Sequence, residues 1–161
     1  MKQDEELTFW LAEGMLRAGG EEVQAALLEA IREEALSGVP LDRAVAETTR
    51  HDRRPGDFGA EILAPIMLPI LIEALKAFWA AFAPELQKKL MGELAGFTVE
   101  RAKSLFRKVF GGPEKEQAIA KLDASIREAA ARRHLDADTT KRLIALIENP
   151  KLPQALEDPA E

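Results

Sequence analysis

The sequence predicts an all-α protein, a compact bundle of six to eight helices around one central apolar helix. Strand signals are nearly absent, because Val and Ile never alternate with polar residues over a useful length and Tyr is missing. The good helix formers Ala, Leu, Glu, Lys and Arg dominate. The segment from Ile62 to Ala83 carries Glu73 and Lys76 as its only charges, which suits a buried helix.

Composition sets the class of protein. The chain has 161 residues, 47% hydrophobic and 31% charged, which suits one folded domain and argues against disorder. Its formal net charge of −6 disfavours non-specific binding to nucleic acid or anionic lipid. The absence of Cys excludes disulfides and thiolate metal sites. The acidic start of the sequence lacks the apolar run of a signal peptide, so we expect a cytoplasmic protein.

Three helices are predicted in the first third. The first runs from Asp4, its N-cap, to Ala18, and Gly19-Gly20 ends it. The second spans about Glu21 to Leu36. Its predicted buried side consists of Val23, Leu27, Ala30 and Ile31. Pro40 begins a short third helix, whose predicted inward residues are Leu41, Ala44 and Val45.

The middle of the chain is punctuated by proline. A polar loop over residues 51–57 precedes the apolar segment. Pro65 and Pro69 each remove an amide donor and clash with an earlier carbonyl, so we expect a kink or a short break there. Pro84 is predicted to end the apolar helix. A further helix follows over residues 85–97, and Thr98 caps the next one.

Gly111-Gly112-Pro113 marks the clearest boundary in the second half. It predicts a main bundle over residues 1–111, a helical hairpin over 112–150 packed on that bundle, and a frayed tail over 151–161. Pro113 is predicted at the first position of a helix that ends near Arg133, and Asp138 is predicted to cap the last helix. The residues predicted to be buried across the whole bundle are Trp10, Leu11, Leu27, Ile31, Leu71, Leu75, Phe78, Phe82, Leu90, Leu94 and Ile126.

Charge is unevenly distributed. Residues 1–38 carry nine acidic against three basic side chains, whereas residues 85–112 carry six basic against three acidic ones. One interpretation is charge complementarity between helices packed in the same molecule. The other is a basic surface that stays masked until the domain opens.

The functional prediction is a non-catalytic interaction module, an adaptor or scaffold that self-associates or docks a partner protein. It rests on an excess of apolar helix and on the lack of a catalytic constellation, since no nucleophile or phosphate-binding loop accompanies His51 and no Glu-x-x-His pair exists for metals. Neither a cofactor nor a metal is expected. The candidate interaction or membrane residues are Ile66, Leu71, Leu75, Phe78, Trp79, Phe82, Lys88, Lys89, Arg107 and Lys108. The candidate anion-binding loop consists of Arg50, His51, Arg53 and Arg54.

A conditional membrane-active domain is the main alternative. Residues 62–83 approach the ~20 residues needed to span a bilayer, and the basic segment after them suits anionic headgroups. Against constitutive insertion, Glu73 and Lys76 would each cost about 2.5–3.5 kcal/mol in the membrane, although they stand one turn apart, a spacing that allows an ion pair.

Residues 130–147 carry one partial resemblance. Ala130 to Ile144 resembles the core of a helix-turn-helix motif, with a small residue, a turn and a Thr-x-x-Arg-Leu-Ile ending at suitable spacing. That resemblance implies DNA binding. The sequence departs from the motif where His134 stands in the usual glycine position, and Asp136 and Asp138 would face phosphates. Nucleic acid is therefore the least favoured partner.

Overall fold

The all-helical fold is confirmed. A computed structural model describes residues 2–51, 60–90 and 98–157, and within them the side chains of residues 2–48, 67–82 and 98–157. Every regular element in these ranges is helical. The helices are α1 (Gln3–Ala18), α2 (Glu22–Leu36), α3 (Leu41–His51), α4 (Ala60–Leu90), α5 (Val99–Phe110), α6 (Lys115–Arg132), α7 (Ala137–Glu148) and α8 (Leu152–Ala155).

Several helices end at a glycine or begin at a capping side chain where the sequence predicts it. Gly20 after α1 and Gly38 after α2 have positive φ angles of 71° and 106°, which a side chain would disfavour. The predicted Thr98 cap is confirmed, because its Oγ1 accepts a hydrogen bond from the amide of Arg101 at 3.2 Å.

Three predicted helix starts are wrong by one or two residues. Lys2 rather than Asp4 is the N-cap of α1. Pro113 lies in the turn before α6 rather than at its first position. Asp136 rather than Asp138 caps α7, since its Oδ2 accepts the amide hydrogen of Thr139 at 3.0 Å. In each case the alternative cap lies within the same turn, so local preference does not decide between the two positions.

The prolines of α4 do not interrupt the helix as the sequence predicts. It is one continuous helix that includes Pro65, Pro69 and Pro84, so neither the expected break nor the expected end occurs. A proline inside a helix costs about 3 kcal/mol. Burial outweighs that cost here, because each fully buried Leu, Ile or Phe contributes about 1.5–3 kcal/mol. The buried residues of α4 are Met67, Leu68, Ile70, Leu71, Ile72, Ala74, Leu75, Phe78, Trp79 and Phe82.

The core surrounds α4, which packs most extensively on α6 and α1 and also contacts α2, α3 and α7. Most of the predicted core is confirmed, namely Leu11, Ile31, Leu71, Leu75, Phe78, Phe82 and Ile126. Trp10 and Leu27 are only partly buried at the edge of this core. The side chains of Leu90 and Leu94 lie outside the described residues. The inward side of α3 is also confirmed, with Leu41, Ala44 and Val45 buried.

The last helices fold back onto α1. The Asn149 side chain donates from Nδ2 to the carbonyl oxygen of Ala18 at 3.0 Å, which satisfies one carbonyl at the end of α1. Leu152 and Leu156 are buried beside Gly14. The chain was expected to fray from residue 151, but these two leucines hold it against α1 through residue 156.

Candidate interaction surface

The structure buries the apolar candidates that the sequence singled out. Leu71, Leu75, Phe78, Trp79 and Phe82 all lie in the core at the centre of the bundle. As folded, they therefore offer no surface to a partner or a membrane.

The remaining candidates fall into two groups. Arg107 is partly buried and Lys108 is exposed, both on α5. The side chains of Ile66, Lys88 and Lys89 lie outside the described residues. The same holds for the predicted anion-binding loop, since Arg50 and His51 are described only as backbone of α3, and Arg53 and Arg54 lie outside the described chain.

Phe106 of α5 is the centre of an aromatic cluster. Its ring centroid lies 5.4 Å from that of Trp79, 5.9 Å from Phe78 and 6.3 Å from Phe82. Trp10 of α1 approaches it edge-on at 5.8 Å. These separations and mostly steep interplanar angles are those that aromatic quadrupoles favour. The cluster joins α1, α4 and α5 into one unit.

Basic side chains cover part of that cluster. Lys103 Nζ and the guanidinium carbon of Arg107 lie 5.8 and 5.7 Å from the ring centre of Trp10. Lys121 Nζ lies 5.6 Å from the centre of Phe82. Such cation–π contacts stabilise a fold by about 0.5–1 kcal/mol at exposed sites. Part of the basic middle segment thus packs on a ring of the acidic first helix.

Glu73 and Lys76, the two charges within residues 62–83, do not pair with each other. Arg133 Nε donates to Glu73 Oε2 at 3.0 Å, and Arg132 lies 3.6 Å from the same carboxylate. Lys76 lies 3.8 Å from Asp42 of α3. Tertiary partners compete with a neighbour one turn away, and here Glu73 pairs at the end of α6 whereas Lys76 lies near α3.

Helix α2 is rotated relative to the prediction. Gln24, Leu28 and Ile31 point inward, and Gln24 is only 1% exposed. Val23 is 41% exposed, and Ala26 and Ala30 are exposed as well. The predicted stripe of Val23, Leu27 and Ala30 therefore lies one position away from the true buried side.

This rotation leaves an ordered apolar strip on the surface. Val23, Ala26, Leu27 and Ala30 are spaced i, i+3, i+4 and i+7, so they share one side of α2, which we call the outer face of α2. Leu27 is partly buried at its inner edge. Leu36 is 60% exposed but lies on another side of the helix and is not part of this face. Single exposed apolar residues are ordinary, whereas an aligned strip is the pattern of a docking helix.

Acidic side chains flank the outer face of α2. Glu22, Glu29 and Glu33 are exposed, and none of them forms an ion pair with another described residue. Glu34 continues the strip at i+4 from Ala30. Its Oε2 atom is buried and lacks a hydrogen-bond partner among the described residues. An unpaired buried carboxylate oxygen is unfavourable.

A cleft of about 580 Å³ lies between the start of α1 and the α2–α3 turn. Its charged residues are Lys2, Glu5, Asp42 and Lys76. Two positive and two negative groups face each other, and Lys76 is already near Asp42. The cleft therefore selects no class of charged ligand.

Three further findings bear on function. Within the described residues, no group of three or more His, Asp or Glu side chains is arranged to hold a metal ion. No helix in the same ranges combines the length and apolar character that crossing a membrane requires. No family model, curated protein or solved structure matches the chain. The functional proposal therefore rests on the exposed apolar strip and the neighbouring acidic side chains of the outer face of α2.

Proposed function

We propose that this protein is a non-catalytic helical interaction module that docks a basic amphipathic helix of a partner protein on the outer face of α2. The observation that carries the proposal is the orientation of α2, which buries Gln24 and exposes Val23. Burial of Leu28 and Ile31 on the same side as Gln24 stabilises this orientation, whereas burial of the Gln24 amide and exposure of Val23 are unfavourable. A partner helix that covers Val23, Ala26 and Ala30 would remove their apolar surface from water.

The small side chains on the face suit a helix as the partner. Ala26 and Ala30 project little from the helix, so the axis of a second helix can approach closely and pack apolar side chains between them. Val23 and Leu27 provide the apolar contacts at one end of the strip. The area is small, so the complex belongs to the weak and transient class, with a dissociation constant on the order of micromolar or higher.

Charge supports a basic partner. Glu22, Glu29 and Glu33 stand beside the strip without an intramolecular ion pair among the described residues, and Glu34 lies at its far end. Arg32 is the only basic residue in the sequence of α2. The helical spacing places Glu22, Glu29 and Glu33 together on one side of the strip, and the other side borders the buried residues Gln24, Leu28 and Ile31. Charges beside an apolar strip select orientation and accelerate association more than they add affinity. A second copy's α5 is an unsuitable partner, because its apolar residues Phe106, Val109 and Phe110 are buried in its own bundle.

The test is binding of a designed peptide. We suggest an 18-residue helical peptide that carries leucines on one side and lysines beside them, compared with a scrambled peptide of the same composition and with a version in which every lysine is replaced by glutamate. We expect calorimetry to detect binding of the first peptide alone. Because exposed charges contribute, the affinity should fall as salt is raised.

Protein variants locate that binding. Ala26→Arg places a long basic side chain in the middle of the strip and should weaken binding at least tenfold, which corresponds to about 1.4 kcal/mol. Ala120→Arg adds the same side chain at an exposed position of α6 and should leave the affinity unchanged. If Ala26→Arg and Ala120→Arg bind equally well, the outer face of α2 is not the docking surface.

The membrane-active alternative is separated by a second measurement. It requires α4 to leave the core, although the aromatic cluster and the ion pairs of Glu73 and Lys76 hold it there. Release of dye from anionic vesicles by the wild type, and not by Leu71→Glu with Phe78→Glu, would favour the membrane alternative. The DNA-binding alternative has less support, because Arg142 of α7 is engaged by Glu21 while Asp136 and Asp138 occupy the start of that helix.

A further inference from the structure

The turn between α6 and α7 has an unusual sequence. Residues 114–149 contain neither glycine nor proline. The other connections that the structure describes contain at least one of the two, namely Gly19, Gly20, Gly38, Pro40, Gly111, Gly112, Pro113 and Pro150. No glycine or proline fixes this turn, so the reversal of the chain depends on the Asp136 cap and on tertiary packing.

The backbone of this turn is strained at His134. Its φ angle is 55°, the left-handed region that side chains with a Cβ disfavour. No other described residue except glycine has a positive φ angle. The side chain of His134 is exposed, so it gains no burial in return. Straightening the turn into a helix would relieve this strain.

Helix α7 packs on α6, α1 and α4, and α8 packs on α1. Specific contacts join them to α1 and to Glu21, the N-cap of α2. Arg142 donates to Glu21 from Nη2 at 2.7 Å and 2.9 Å and from Nε at 3.0 Å. Two glycines leave room for leucines of the last helices. A Cβ on Gly14 of α1 would lie 2.5 Å from Leu156, and a Cβ on Gly19 after α1 would lie 2.5 Å from Leu146. Any copy of the chain offers the same receiving site.

We propose that two copies of this protein exchange α7 and α8 to form a domain-swapped dimer, in which residues 133–136 become helical and join α6 to α7. Every contact between the exchanged helices and α1 is then remade with the second copy, so the dimer and the monomer differ mainly at the hinge. The hinge loses the exposed ion pairs of Arg132 and Arg133 with Glu73 and the Asp136 cap of α7. It gains the backbone hydrogen bonds of a continuous helix and relief of the strain at His134. This exchange does not use the outer face of α2, so the two proposals stand or fall separately.

Charge reversal provides the test. Glu21→Arg and Arg142→Glu each place like charges opposite one another within a closed monomer. In a swapped heterodimer of the two variants, each receiving site meets the opposite charge of the other chain, so both ion pairs are restored. The two variants, one labelled with ¹⁵N, are unfolded together, refolded at high concentration and measured by native mass spectrometry and thermal melting.

The swap predicts that heterodimers exceed both homodimers at least tenfold and that the mixture melts well above either single variant. The double variant Glu21→Arg/Arg142→Glu in one chain restores the pair without exchange, and shows that the reversed pair is compatible with folding. A mixture that melts like its separate components, without an excess of heterodimer, would overturn the proposal.

A substitution in the hinge tests the role of strain. His134→Gly removes the penalty for a positive φ angle, so refolded His134→Gly should contain at least threefold less dimer than the wild type at equal concentration. His134→Ala keeps a Cβ and should form as much dimer as the wild type. A dimer fraction that is the same for glycine and alanine would show that strain at this residue does not drive exchange.

Discussion

Gln24 donates from Nε2 to the Sδ atom of Met67 across 3.8 Å inside the core, where α2 meets α4. Sulfur is a weak acceptor, so this contact compensates poorly for the water that the amide loses. Val23, the residue directly before Gln24, lies on another side of the helix and is 41% exposed. Burial of Gln24 is therefore an unfavourable part of an orientation that also buries Leu28 and Ile31.

Gln24→Met tests that conclusion. The methionine side chain has a similar length and fills the same space without a polar amide, so the free energy of unfolding should rise by about 1 kcal/mol. Urea denaturation of the purified domain measures it. Val23→Met changes a neighbouring exposed position and should stay within about 0.5 kcal/mol of the wild type. A loss of stability in Gln24→Met would mean that the amide makes a favourable contact in the core.

Glu34→Ala should separate stability from binding. Removing the buried unpartnered oxygen is expected to stabilise the free domain by up to about 1 kcal/mol. The same change removes a carboxylate that the basic helix would pair with, so peptide affinity should fall several-fold. Natural binding surfaces often combine reduced stability with function in this way. If stability and affinity both rise or both fall, Glu34 does not belong to the docking surface.

Phe106→Ala should destabilise the whole bundle. Phe106 is fully buried and its ring contacts the other aromatic residues of the cluster, so the cavity left behind should cost about 3–5 kcal/mol. Denaturation followed by tryptophan fluorescence measures this loss, since Trp10 and Trp79 both approach the ring. Ser104→Ala, an exposed change on the same helix, should alter stability by less than about 0.5 kcal/mol.

Asp136 predicts a defined pH dependence. The hydroxyl and the amide of Thr139 both donate to its carboxylate and hold the pKa of Asp136 below its ordinary value of 3.8. A carboxyl group whose pKa is lowered by folding stabilises the protein above its unfolded pKa, and that contribution is lost as the pH falls through the folded pKa. Asp136→Ala should therefore lower the Tm at pH 7 and have a smaller effect near pH 2.

The control for that experiment is Asp138→Asn, which removes a neighbouring charge of the same helix without touching the cap. Thermal melts of both variants between pH 7 and pH 2 make the comparison. A gap between wild type and Asp136→Ala that is constant over this range would show that the ionised cap is not the source of the stability.

Helix ends were predictable where the chain carries its own stop signals. Gly19-Gly20, Ser37-Gly38 and Gly111-Gly112 end helices in the structure as the sequence predicts. The turn at His134 was predictable from the expected helix end near Arg133 and an aspartate cap after it, although the cap is Asp136 rather than Asp138. Local signals thus determine most boundaries, and packing determines the others.

Two features of the fold depend on energies that a local pattern does not contain. The prolines of α4 predict a break, but burial of most of the described side chains between Met67 and Phe82 outweighs their cost. Two neighbouring stripes run along α2, one formed by Val23, Leu27 and Ala30 and the other by Gln24, Leu28 and Ile31. Because Gln24 is polar, the sequence alone favours the first stripe as the buried side. Which stripe faces inward is decided by contacts with α1, α3 and α4, which the sequence of α2 alone cannot show.

The candidate surface was missed for the same reason. Val23, Leu27 and Ala30 were expected to be buried, so their availability to a partner became visible only with the orientation of α2. The acidic character of the first third was visible in the sequence. Its division into a paired Glu21 and unpaired Glu22, Glu29 and Glu33 required the position of Arg142.

Hydrogen exchange in the presence of the basic helical peptide tests the central claim most directly. Amides of the whole protein are followed by mass spectrometry with and without a saturating amount of the peptide, and the scrambled peptide serves as the reference. The account predicts slower exchange within residues 22–37 and little change in α5 and α6. Protection centred on another helix, or no difference between the two peptides, would contradict it.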